Sequence, residues 1–149
     1  MKILIIHHLE EIWKSGYEMY GTSFEEQASN IIAHLEENDY DRVILTRFEE
    51  WELGEEHHCS GIAEYIDTVH IYAYGWDMTM VEQDCFPEDQ RWTEGGSHSE
   101  IVLIDKWMEN LINDDVSLCG AFDGECIEDM ELALSGTGVD VKRIEDLII

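Results

Sequence analysis

The chain has 149 residues, 44% of them hydrophobic and only one a proline, which is enough apolar material for one domain with one core and too little for a second. Its 35 acidic residues against 8 basic ones give a formal charge of −27, spread along the whole sequence, and so few phosphate-neutralising cations exclude nucleic acid and anionic membranes as partners. No apolar run approaches a membrane span, the N-terminal Met1–His8 is too short and too soon charged for a signal peptide, and the four cysteines lack CxxC spacing, so a soluble cytoplasmic protein with reduced thiols is expected.

Lys2–Ile6 is a continuous aliphatic run, the pattern of a strand buried on both faces, and predicts a central first strand. His7 and His8 stand at its carboxyl end, the edge at which open α/β sheets bind ligands; a strand-end hydrogen-bonding role fits them as well as a catalytic one. Glu10–Thr22, with Trp13, Tyr17, Met19 and Tyr20, reads as a loop or irregular helix whose aromatics serve packing. Ser23 and Glu26 have the spacing of a capping box, and Phe24, Ala28, Ile31, Ile32 and Leu35 recur at helical spacing as far as Asn38. His34 lies off that stripe and reads as a surface residue. Arg42–Thr46 is the second strand, Cys59, Ile62, Ala63 and Ile66 suggest a second helix, and Val69–Tyr74 is a β-branched and aromatic third strand.

From Trp76 to Gly96 no period is sustained, and Asp84–Asp89 has turn composition. This stretch leaves the carboxyl end of a strand, so it is either a flap or a pocket wall built by Trp76, Asp77 and Trp92. Ser97 and Glu100 offer a cap for a buried third helix marked by Ile101, Ile104, Met108, Leu111 and Ile112. Val116–Val141 then reads as strand, turn, helix and next strand. Its apolar run stops at Phe122-Asp123-Gly124, and Cys126, Met130, Ala133 and Leu134 share one face of a helix that starts at the turn. Cys126 therefore falls in a first helical turn, where unpaired N–H groups and the positive end of the macrodipole favour an anion. Asp123 and Glu125 act on that thiol in the opposite sense.

These elements predict a three-layer α/β/α domain over residues 1–149, with an open, Rossmann-like parallel sheet of about five strands in the order 3-2-1-4-5. Right-handed crossovers bring the ends of strands one and four together, placing His7, His8, Phe122, Asp123 and Cys126 around the switch-point crevice.

The last third of the chain resembles the isochorismatase-like cysteine hydrolases, whose nucleophile lies six residues after a strand-terminal glycine and precedes an aliphatic residue. Gly120 and Cys126-Ile127 match, as do Gly138, Val141 and Asp146 further on. The resemblance implies Cys126 as nucleophile, and His7 stands where the family has its proton-handling aspartate, with Leu9 where it has glutamine. Met130-Glu131 replace the usual Thr-Ala, and the family's lysine before the third helix is absent: Arg91 is the nearest basic residue ahead of it and Lys106 lies inside it. In the nicotinamidase-like branch an aspartate and two histidines after the second strand hold a divalent metal. Glu49 or Glu50 with His57 and His58 would supply such ligands here for zinc, iron or manganese, although adjacent histidines on a helix point about 100° apart, so at most one would serve. The alternative is a solvent-facing acidic loop and a protein without cofactor.

Two functional readings follow. In one the chain is a non-catalytic acidic binding module, attracting a basic protein partner or acting as a decoy for a nucleic-acid-binding protein; the acidity also suits a solvated surface in a salty cytoplasm. In the other, Cys126 attacks an amide or similar carbonyl of a small-molecule substrate, His7 or His8 moves the proton, backbone N–H groups near Glu125 and Cys126 hold the oxyanion, and Phe122, Asp123, Trp76 and Trp92 contact the substrate. Assembly as a homo-oligomer is compatible with both.

Overall fold

The structure, a computed structural model, describes residues 1–9, 14–48, 61–72, 92–93, 102–103 and 106–149. In chain order the elements are β1 (Lys2–His7), α1 (Lys14–Met19), α2 (Phe24–Glu37), β2 (Arg42–Phe48), β3 (Thr68–Tyr72), β4 (Trp92–Thr93), β5 (Val102–Leu103), α3 (Lys106–Glu109), β6 (Asp115–Gly120), α4 (Cys126–Gly136) and β7 (Val141–Ile148). Five strands form one parallel sheet in the order β3-β2-β1-β6-β7, while β4 and β5 make a separate antiparallel pair. Leaving that pair aside, this is the 3-2-1-4-5 order expected.

The position of β1 follows from its composition. Ile3 and Ile5 enter one core with Ile127, Met130 and Leu134 of α4, while Leu4 and Ile6 enter another with Phe24, Ala28 and Ile31 of α2. A strand apolar on both faces is stable only between two helical layers, each fully buried aliphatic side chain contributing about 1.5–3 kcal/mol. Among the described residues no helix is long and apolar enough to cross a membrane.

The cap of α2 forms on the predicted residue: Ser23 Oγ accepts from the Glu26 N–H at 3.1 Å. The reciprocal half differs, because the Glu26 carboxylate accepts from the Thr22 hydroxyl at 3.1 Å. Ser23→Ala should therefore lower the urea midpoint by the equivalent of about 1 kcal/mol.

Three expectations are corrected. Among the described residues of the second helix, 61–66, there is a single 3₁₀ turn, Ala63–Tyr65, because β2 captures the chain directly afterwards: the Asp67 N–H donates to Val43 O at 2.9 Å and its carboxylate accepts from the Val43 N–H at 2.7 Å. Among the described residues the third helix is the four residues of α3, and Val102 and Leu103 pair as a strand with Thr93 and Trp92, since a short apolar run does not by its period distinguish strand from helix; Ser97, Glu100, Ile101 and Ile104 lie outside the described residues. His34 is half-buried rather than on the open surface, its Nε2 lying 2.7 Å from the Tyr40 hydroxyl.

Strand β7 follows β6 from Val116↔Val141 to Leu118↔Arg143, then slips, and the next partners are Gly120↔Ile148. The bulge exposes Glu145 and Asp146 and returns Ile148 and Ile149 to the end of β6. Bulges and charges of this kind blunt a sheet edge against pairing with another chain.

Candidate functional site at the carboxyl edge of the sheet

The register places the site. His7 pairs with Thr46 of β2 on one side and with Gly120 of β6 on the other, at the point where the connections run off in opposite directions. The His7 ring is fully buried, and its Nδ1 lies 2.7 Å from Thr46 Oγ1. Burial, and after it the neighbouring His8, hold the His7 imidazole well below the usual histidine range, while a hydrogen bond with the Cys126 backbone works the other way. The ring is thus neutral at neutral pH.

His8, also buried, has the left-handed backbone φ of 59°, which turns the chain off the strand. Its N–H donates to Thr46 O at 3.1 Å, and its carbonyl accepts from the Tyr17 hydroxyl at 2.6 Å. The two imidazoles face each other at 4.2 Å between centroids, tilted by 46°.

Across from them, β6 ends at Gly120, a cis peptide joins Ala121 to Phe122, and α4 begins at Cys126. The helix start matches the expectation, and Cys126 is half-buried beside the α4 core. Cys119 is fully buried inside β6, where burial pushes its thiol far up. The turn between is internally bonded. The Glu125 and Ile127 N–H groups both donate to Phe122 O, at 3.1 and 3.2 Å, and the Asp123 N–H donates to Ile149 O at 2.6 Å.

Phe122 is buried, 5% exposed. It belongs to the α2-side core, its ring stacked on Tyr20 at 5.5 Å and against Tyr17 at 5.2 Å, and a methyl group added at Gly16 would press on it. Asp123 is exposed and bonded to Arg143 at 2.6 Å, which holds its carboxyl below the usual carboxylate range. The negative charge expected to crowd Cys126 is therefore partly neutralised at Asp123.

The structure thus brings together His7, His8 and Cys126 from the predicted set. Glu49, Glu50, His57, His58, Trp76 and Asp77 lie outside the described residues, and Trp92 stands on β4 opposite Leu103. Among the described residues no group of three or more His, Cys, Asp or Glu is placed to hold a metal ion. Sequence reasoning missed Thr46, Tyr17 and Arg143 as partners of the site. Thr46 was legible as the carboxyl end of the strand beside β1, and Arg143 as one of only 8 basic residues in the chain.

Fold and site together define the class: an open, doubly wound α/β protein with its polar residues gathered at the β1–β6 switch point. Compared with protein-family models, with curated proteins and with solved structures, the chain finds no match.

Proposed function

We propose that this protein is a non-catalytic, acidic binding protein on an isochorismatase-like α/β frame, and that its partner is a basic protein. One observation carries the reading: two of the groups that cysteine hydrolysis would call on, the Glu125 N–H and the His7 ring, are engaged within the fold. The Glu125 N–H donates to Phe122 O and the Asp123 N–H to Ile149 O, so neither is directed at an oxyanion. The His7 ring is bonded to Thr46 and to the Cys126 backbone, in surroundings that disfavour the imidazolium partner of a thiolate. The formal −27 charge then supplies long-range attraction for a cationic surface. Titration with a lysine-rich basic protein should give an affinity that falls steeply with ionic strength; binding that is absent at low salt would remove the reading.

The second reading, a cysteine hydrolase, is favoured by Cys126 standing at the head of α4 with its backbone bonded to His7. Alkylation separates the two. In the binding protein Cys126 reacts with iodoacetamide no faster than an ordinary thiol. A hydrolase requires faster modification of Cys126 than of the other thiols, with a pH profile displaced by His7→Asn.

A further inference from the structure

We propose that the end of β7, Arg143–Ile149, is an ionic strap that holds the turn ahead of α4 closed and loosens as ionic strength rises. It goes beyond both functional readings and depends on neither.

Three kinds of attachment define the strap. Arg143 reaches Asp123 of the turn at 2.6 Å, Glu131 of α4 at 3.4 Å and Glu145 of its own strand at 3.0 Å, so one guanidinium ties three segments together. At the far end the Ile149 N–H donates to Gly120 O at 3.0 Å, and Ile149 O accepts from the Asp123 N–H. Between them the buried Gln27 side chain of α2 donates to Leu147 O at 2.8 Å.

The regular β6–β7 register stops at Leu118↔Arg143 and resumes only at Gly120↔Ile148. Across the bulge the strap is therefore held not by an even ladder but by Leu147, buried in the α2-side core, by Gln27 and by the Arg143 ion cluster, of which the ion cluster is the part that salt weakens. Two of its carboxylates are open to solvent, the Asp123 side chain 58% and the Glu145 side chain 69% exposed, while Arg143 at 23% and Glu131 at 35% are partly covered. Pairs with one partner this exposed are weakened by salt, whereas the apolar cores on either side of the sheet are not.

The sign of the effect is what sets the strap apart. Across a chain of formal charge −27, added salt relieves repulsion and stabilises the fold as a whole. At the turn, salt weakens an attraction. Global stability and closure of the turn therefore respond to the same salt in opposite directions.

The test reads alkylation of Cys126 by iodoacetamide, resolved by mass spectrometry, in the full chain and in Arg143→Gln. NaCl is varied between about 0.01 M and about 1 M, over which the Debye length falls from about 30 Å to about 3 Å. At low salt Cys126 of the variant should react about two- to fivefold faster than in the native chain, the range set by surface ion pairs. Losing a cation by itself slows a thiolate-dependent reaction, so a gain in rate reports opening. At high salt the two rates should converge, while the Tm of the native chain rises. Equal rates at low salt, or a ratio that does not change with salt, overturns the proposal. Should Arg143→Gln fail to fold, Arg143→Lys keeps the positive charge but lacks the planar fork that joins Asp123, Glu131 and Glu145, so a gain in rate again reports opening and is read by the same ratio.

Discussion

Gly120→Ala is expected to cost about 4 kcal/mol or more and to leave most of the chain unfolded under conditions where the native protein is folded. Natural domains hold only about 5–15 kcal/mol in all, and losses of this size come from a short list of causes. Here two of them coincide. Gly120 has a φ of 119°, which L side chains rarely adopt, and a Cβ built there would overlap the His7 carbonyl oxygen, with the His7 nitrogen 2.7 Å away. Those atoms are backbone of the central strand, in the register that pairs His7 with Gly120, so nothing flexible yields. The same change elsewhere gives an internal scale. Gly21 has a φ of 78° but no neighbour within 4 Å, so Gly21→Ala carries conformational strain alone, about 1 kcal/mol. Gly136, the last residue of α4, has neither a positive φ nor a neighbour, and Gly136→Ala should stabilise by up to about 1 kcal/mol. Urea denaturation of the three variants should rank them in that order. A Gly120→Ala protein as stable as Gly21→Ala would mean that the β1–β6 register is other than described.

The second large effect is a loss of stability on mild acidification. Because the folded-state pKa of His7 lies well below its value in the unfolded chain, the unfolded state takes up a proton first as pH falls. His7 therefore costs no stability above about pH 6.5. Below that it withdraws about 1.4 kcal/mol for each pH unit, until the folded-state pKa is reached. Asp115 and Asp123, each held below the usual range by a basic partner, add a loss in the same direction, but only at the more acidic pH where carboxylates titrate. Relief of carboxylate repulsion opposes it and is confined to that acidic range as well, so the interval from about pH 6.5 to about pH 5 reports on histidines, among them His34, whose partial burial also holds it below the usual range, and the comparison with a His7 variant singles out His7. His7→Asn keeps a hydrogen-bonding atom near the position of Nδ1 and does not titrate. Its stability should be lower overall but flatter with pH across that interval. Urea midpoints at matched pH values decide the matter, and parallel slopes for the native chain and His7→Asn would show that His7 is not the group responsible.

Much of this molecule was legible along the chain because the signals are local. Lys2–Ile6 is apolar at every position after Lys2, a pattern that belongs between two helical layers, and that alone set β1 at the centre of the sheet. Ser23 ahead of an apolar stripe marked the start of α2, and Phe122-Asp123-Gly124 marked the turn that puts Cys126 at the head of α4. With the strands in order, right-handed crossovers leave the strand-one and strand-four ends adjacent, so His7, His8 and Cys126 converged as expected. The failures fall where a pattern is too short or too ambiguous. Val102 and Leu103 fit a helical stripe and a strand equally, and pairing with β4 settled them as strand; Ile62 and Ile66 carried a helical period that β2 interrupted by binding Asp67.

What the site can do was decided by the tertiary structure. His7 and Thr46 stand 39 positions apart and Asp123 and Arg143 20 apart, and no local period records such pairings. Phe122 packs in the α2-side core against Tyr17, Tyr20 and Gly16, residues of a segment whose sequence carries no sustained period. The Asp123 amide is occupied by Ile149, because a bulge in β7 turns the chain back toward Gly120. The sequence by itself determined the layers, the strand order and which thiol heads a helix, since apolar period and capping are read over a few neighbouring residues. Only the folded chain decided that the imidazole is buried and neutral and that the amides of the turn are engaged, since both follow from which distant backbone and side-chain groups the packed sheet brings within hydrogen-bonding reach.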